Sequence, residues 1–115
     1  MHKKIVCKIA ETEDELKESY RIRQETFVRE QQLFKSTDRD DFDKHAVHIV
    51  ACMGDEIVGT VRVYEQEKGT WYGGRLAVKQ GFRGRVGALL IRKAVETVKE
   101  KKARRFLAYI QLPSV

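Results

Sequence analysis

The residues best placed to do chemistry run from 79 to 88: Lys79-Gln80-Gly81-Phe82-Arg83-Gly84-Arg85-Val86-Gly87-Ala88. Three cations, Lys79, Arg83 and Arg85, alternate with glycines between a short apolar strand, Leu76-Ala77-Val78, and the start of a long amphipathic helix. A strand, a glycine-containing loop and a helix N-terminus make an anion site from backbone alone. The first-turn N–H groups have no intrahelical acceptor and the helix dipole favours negative charge there. A phosphorylated cofactor is the first expectation.

Other constellations are weaker. Asp38, Asp40, Asp41 and Asp43 could supply oxygens to calcium, but Phe42 stands where a ligand is needed, and the turn glycine and terminal glutamate of such a loop are missing. The segment reads instead as a solvated or helix-capping acidic loop. His45 and His48, three residues apart, fall on opposite faces of a strand and have no third ligand, so no metal site is expected. Cys7 and Cys52 sit in apolar runs as buried, reduced thiols.

The elements that must position the loop can be read in order. Lys4 to Ala10 is β-branched and apolar, a strand. Thr12 and Glu15 have the spacing of a capping box and begin a helix, whose apolar positions Leu16, Tyr20, Ile22 and Phe27 carry it to about Gln31. Residues 45–53 and 56–64 form a hairpin around Gly54-Asp55. Trp71 to Val78 is a further strand, in which Gly73-Gly74 suggests a bulge or a close approach of another backbone. Val86, Leu89, Leu90, Ala94 and Val98 form the apolar stripe of a helix ending near Lys102, and residues 105–112 make a last strand.

Length and composition fit one domain spanning residues 1–115, and the order of a hairpin with strand-helix-strand crossovers gives it the α+β (mixed α/β) class. With 42% hydrophobic and 35% charged residues and no long apolar run, neither a membrane span nor a signal core is present in this sequence, and a cytoplasmic location is expected. The net charge of +6 favours an anionic partner. Nucleic acid is the less favoured anion, because Glu96 and Glu100 interrupt the basic stretch of residues 92–105 and no aromatic residues are interleaved with it.

On these residues the chain resembles the GNAT superfamily of acyl-CoA-dependent N-acetyltransferases, whose mark is a strand followed by a loop of form Arg/Gln-x-x-Gly-x-Gly/Ala entering a helix; Arg83 to Ala88 stands in the matching place. The runs Tyr20-Arg21-Ile22-Arg23, Phe27-Val28-Arg29-Glu30-Gln31-Gln32-Leu33-Phe34, Ser36-Thr37-Asp38-Arg39-Asp40, Gly74-Arg75-Leu76-Ala77-Val78, Arg105-Phe106-Leu107-Ala108 and Ile110-Gln111-Leu112-Pro113 are similar to a subgroup associated with nitrogen starvation. The resemblance implies a central twisted mixed sheet flanked by helices and transfer of an acetyl or acyl group from acetyl-CoA to a small-molecule or protein amine. It implies that Leu76, Ala77 and Val78 present backbone to the pantetheine arm, and that the pyrophosphate lies on Arg83, Gly84, Arg85, Val86, Gly87 and Ala88. Lys79 would add charge.

The resemblance also implies a base and an acid. Glu30 and Glu65 are candidates for the base, Tyr109 for a group near the thiolate, and Arg75 for orienting an acidic substrate or the acceptor. Two departures from the family pattern stand out. Val86 replaces the middle glycine, which would loosen the phosphate site if that position needs positive φ. The pattern also stops after the fifth strand, implying a truncated domain with an exposed edge to be covered in a homodimer or by a complementing chain. A catalytically silent CoA-binding module is the alternative.

Overall fold

The structure, a computed structural model, describes residues 4–108. Its elements are β1 (Ile5–Ile9), α1 (Glu13–Arg23), a π-helical turn (Gln24–Glu30), a 3₁₀ turn (Asp41–Lys44), β2 (Val47–Met53), β3 (Glu56–Glu67), β4 (Thr70–Val78), α2 (Arg85–Glu100) and β5 (Arg105–Ala108). The strands form one sheet in the order β1-β2-β3-β4-β5, antiparallel except for the parallel pairing of β4 with β5. This is the mixed α+β architecture expected from the strand and helix order. The last sequence-predicted strand is described only as far as Ala108, and Tyr109 lies outside the described residues.

Alternation along β3 assigns its two faces to the two helices. Val61 and Val63 point into a core with Val86, Leu90, Ala94 and Val98 of α2, which explains that helix's apolar stripe. Thr60 and Arg62 point the other way. There Ser19 of α1 donates to Thr60 Oγ1 at 2.6 Å, and the Thr60 hydroxyl in turn donates to the Ile49 carbonyl at 2.9 Å. Ile22 and Phe27 complete this second core over Ala77.

The Thr12 capping box forms as its spacing requires, with Glu15 returning to the Thr12 amide. The first helix does not run regularly to Gln31: from Gln24 it widens into the π turn, and the Gln31 amide bonds the Thr26 carbonyl at 2.9 Å. Apolar periodicity cannot distinguish this widening from a continued α-helix. The bulge expected at Gly73-Gly74 lies beside them, where Arg75 and Leu76 together face the single Val61 and Arg75 takes φ +54°. Gly73 serves close approach instead: a Cβ there would stand 2.8 Å from Phe106 Cζ, a side chain rather than the anticipated backbone.

The acidic segment is the largest correction. Asp38 and Asp43 are buried, not solvated. Asp41 alone stays fully solvated as expected, and the capping role holds, with Asp40 and Asp43 forming the capping box of the 3₁₀ turn. The carboxylates are drawn inward by three arginines from other elements, which no local pattern in residues 38–43 could reveal.

Candidate acyl-donor site

β4 delivers the chain to the loop, and α2 carries it away. Lys79 donates its amide to the Val58 carbonyl at 2.9 Å, extending the ladder one residue past the strand. The loop then turns at Gly81 (φ +91°) and Gly84 (φ +102°), the two loop positions whose backbone favours glycine. At neither glycine does any heavy atom lie within 4 Å of where a Cβ would stand, so both face open space.

Gly84 is the N-cap of α2 and, lacking a side chain, caps nothing. Ala88 makes the first intrahelical bond, to the Gly84 carbonyl at 3.4 Å, so the amides of Arg85, Val86 and Gly87 are left without an intrahelical acceptor. No acidic residue occupies the first turn. Open glycines, unclaimed amides and a first turn without an acidic residue suit an anionic group.

Val86 does not carry the penalty expected from the pattern. It sits inside the first turn of α2, is 2% exposed, and packs towards Gly59, where a Cβ would meet Val86 Cγ1 at 3.1 Å and Leu90 Cδ1 at 3.0 Å. The positive-φ positions are Gly81 and Gly84, so a β-branched residue at 86 costs the loop nothing.

The loop cations are distributed unequally. Arg83 Nε donates to the Val78 carbonyl at 3.2 Å and its Nη2 bonds Glu30 of the π turn. Lys79 pairs with Glu18 at 3.0 Å and Glu56 at 3.5 Å. Arg85 is exposed and has no ion pair among the described residues.

Of the remaining sequence-predicted residues, Glu65 is at the wrong end of the sheet. It pairs with Trp71 near the start of β4 and accepts from the Gly69 amide at 2.8 Å, holding the β3–β4 turn. Arg75 is turned towards the acidic segment. Its Nε and Nη2 donate to the Asp38 carbonyl at 3.1 and 2.9 Å, it pairs with Asp40 at 3.3 Å, and its guanidinium lies over Phe34. Burial and then the neighbouring Arg62 charge push its pKa down.

Arg75 belongs to a network that sequence reasoning missed. Arg23 bonds Asp43 through Nη1 at 2.8 Å and Nη2 at 2.9 Å, and Asp38 through Nε at 2.7 Å. Arg62 bonds Asp40 at 2.6 and 2.8 Å and Asp43 at 2.9 Å. Burial opposes ionisation of Asp43, but the bonds from Arg23, the Asp40 amide and Arg62 outweigh it and hold the carboxyl well below the usual range. Three arginines and three aspartates thereby fasten residues 38–43 across the sheet beside the β4 bulge.

His48, buried beneath this network, donates from Nε2 to the Asp43 carbonyl at 3.1 Å, and burial pushes its pKa down. Among the described residues no cluster of histidine, cysteine and carboxylate could hold a metal, and no helix is long and apolar enough to cross a membrane. Burial raises both cysteine thiols, Cys7 and Cys52, which are free and half-buried.

A cleft of about 260 Å³ opens on the α1 side of the loop, lined by Glu18, Ile22, Glu25, Thr26, Glu30 and Lys79 among others. Glu30, one of the sequence-predicted bases, therefore stands between this cleft and the anion-ready loop.

The family model described as the acetyltransferase (GNAT) family matches residues 9–114. The chain belongs to the GNAT acetyltransferase family. It is 31% identical over 88 residues to the uncharacterized N-acetyltransferase YjcF of Bacillus subtilis (strain 168), a match covering 76% of this chain and 62% of that protein. The chain thus spans less than two thirds of that relative. Among solved structures, an acyl-CoA N-acyltransferase from Pseudomonas aeruginosa superposes with a TM-score of 0.75 at 22% identity, over 90% of this chain and 77% of the other. A GNAT family acetyltransferase from Elizabethkingia anophelis with acetyl-CoA bound gives 0.70 at 15% identity, over 90% and 63%. At these identities the GNAT structures support the fold, and the bound acetyl-CoA belongs to that protein.

Proposed function

We propose that this GNAT domain transfers an acyl group from acyl-CoA to an amine. The observation that carries the reading is the uncapped start of α2, where the amides of Arg85, Val86 and Gly87 have no intrahelical acceptor, the first turn holds no acidic residue and the preceding Gly81 and Gly84 border open space. These amides and Arg85 would hold the pyrophosphate by charge-assisted bonds. On the edge of β4 away from β3, the backbone of Leu76, Ala77 and Val78 would bond the amide-like pantetheine arm. Bound acyl-CoA supplies the activated thioester.

The cleft is lined by Glu18, Glu25 and Glu30 together with the cations Arg21 and Lys79, and its excess carboxylate suits the amine, attracting its ammonium form and able to take the proton it must lose before attack. Glu30 is the better placed of the two sequence-predicted bases, since Glu65 holds a turn at the far end of the sheet. Release of free CoA thiol, followed across a panel of primary amines with acetyl-CoA as donor, tests the assignment. Amine-dependent release is expected; binding of CoA without release under any amine would favour a silent cofactor-binding module.

A further inference from the structure

Arg83 is one of the loop cations assigned above to the phosphates, yet its guanidinium is already committed. Nε is spent on the Val78 carbonyl and Nη2 on the Glu30 carboxylate. The pair is placed for exchange rather than for permanent burial: the Arg83 side chain is 48% exposed and that of Glu30 23%. By contrast, Arg23 and Asp43 of the aspartate–arginine network are 1% and 4% exposed. Glu30 ends the π turn, a backbone irregularity of a kind often found at functional sites, and it also lines the cleft on the α1 face.

We propose that Glu30 is a positioning residue that acts through Arg83, a counter-charge which the phosphates of the acyl donor displace. The inference rests on the cofactor assignment above and adds a coupling to it. While Glu30 holds Arg83, the cradle lacks one positive charge and a carboxylate stands beside it. A doubly charged pyrophosphate draws the guanidinium away, because it offers more negative charge and the same bidentate geometry. The freed Glu30 carboxylate then faces the cleft beside Glu18 and Glu25, where it raises the attraction for an ammonium group. Donor binding thereby prepares the acceptor side, and by linkage an occupied acceptor side strengthens donor binding.

Electrostatics fixes the sign of the test. Glu30→Gln removes the competing charge but keeps the side chain's size, so CoA should bind about two- to five-fold more tightly by titration calorimetry, the range expected for release from one partly exposed ion pair. Pantetheine, which lacks the pyrophosphate, should show no such gain. In an Arg83→Gln background most of the gain should vanish, since the carboxylate then has nothing to withhold. Glu30→Ala serves as a second variant, with thermal unfolding of each protein confirming the fold. If wild type binds CoA while Glu30→Gln binds it no more tightly, or gains equally with and without Arg83, the counter-charge role is overturned and the cofactor assignment stands. If neither protein binds CoA, both are overturned.

Discussion

Arg23 and Asp43, twenty residues apart in sequence, meet fork to fork, with Nη1 2.8 Å from Oδ1 and Nη2 2.9 Å from Oδ2. The pair joins the end of α1 to the 3₁₀ turn and, through Asp38 and Asp40, to Arg62 and Arg75 on the sheet. Removing one partner strands a buried charge. Asp43→Ala should therefore lower the unfolding free energy by about 3–5 kcal/mol in urea titrations. Replacing Arg23 and Asp43 together with leucine should cost less than either single change, because no uncompensated charge remains.

His48 predicts a pH dependence whose sign is set by its environment. Burial lowers its folded pKa below the ordinary 6.5, so at and below that pH the unfolded chain binds the proton more readily than the folded one. Stability contributed by the neutral ring is complete above pH 6.5 and declines as pH falls from there towards the folded value. Thermal unfolding between pH 7.5 and 5 should show this decline, and His48→Gln should flatten it. Asp40 and Asp43, both depressed, keep their contribution until lower pH and lose it only as pH falls below about 4.

Glu15 adds a separate acid-range signal. Its bonds from Lys8 and the Glu11 and Thr12 amides lower its pKa to about 2. The Thr12 cap of α1 should hold above pH 4.5 and weaken progressively as pH falls towards 2, readable as loss of amide-exchange protection in the first turn.

Much of this architecture was legible because it is local. The Thr12 and Glu15 spacing, the Gly54-Asp55 hairpin and the stripe from Val86 to Val98 each follow from short-range chemistry, and each element forms where expected. The glycine loop was equally visible, but which of its glycines needs positive φ was not. That depends on where α2 docks, and docking puts Val86 in the core. The aspartate–arginine network was invisible because its six members come from four separate segments. A solvated acidic loop and a buried one have the same composition; only the arginines facing it decide between them. Arg62 and Arg75 do stand on largely apolar strand segments, and a charged residue at such a position is the one sequence signal that could have suggested buried partners; Arg23, on a helix rich in charge, carries no such signal.

Gly59 links core packing to the site. A Cβ there would stand 3.0 Å from Leu90 Cδ1, 3.1 Å from Val86 Cγ1 and 3.2 Å from the Ala77 carbonyl oxygen. Gly59→Ala should destabilise by about 1–3 kcal/mol. Because the displaced residues carry the α2 N-terminus, CoA affinity should fall as well; Val86→Ala in the same chain should recover part of both losses.

Gly84 separates binding from packing. Its φ of +102° excludes β-branched residues, while its surroundings are open. Gly84→Val should thus cost about 1–3 kcal/mol in stability through backbone strain and weaken CoA about tenfold or more by tilting the first-turn amides, a loss of roughly 1.4 kcal/mol in binding. Calorimetric titration and urea unfolding of the same variant separate the two effects.

The central claim, that the start of α2 receives the phosphates of an acyl-CoA, is tested most directly by thermal unfolding with and without CoA. At a ligand concentration a hundred times Kd the folded state should gain about 2.7 kcal/mol. For a domain near this size each kcal/mol raises Tm by about 4–8 °C. A saturable rise in Tm that Gly84→Val suppresses is the predicted result. An unchanged Tm at millimolar CoA, with the folded protein otherwise intact, would contradict the account.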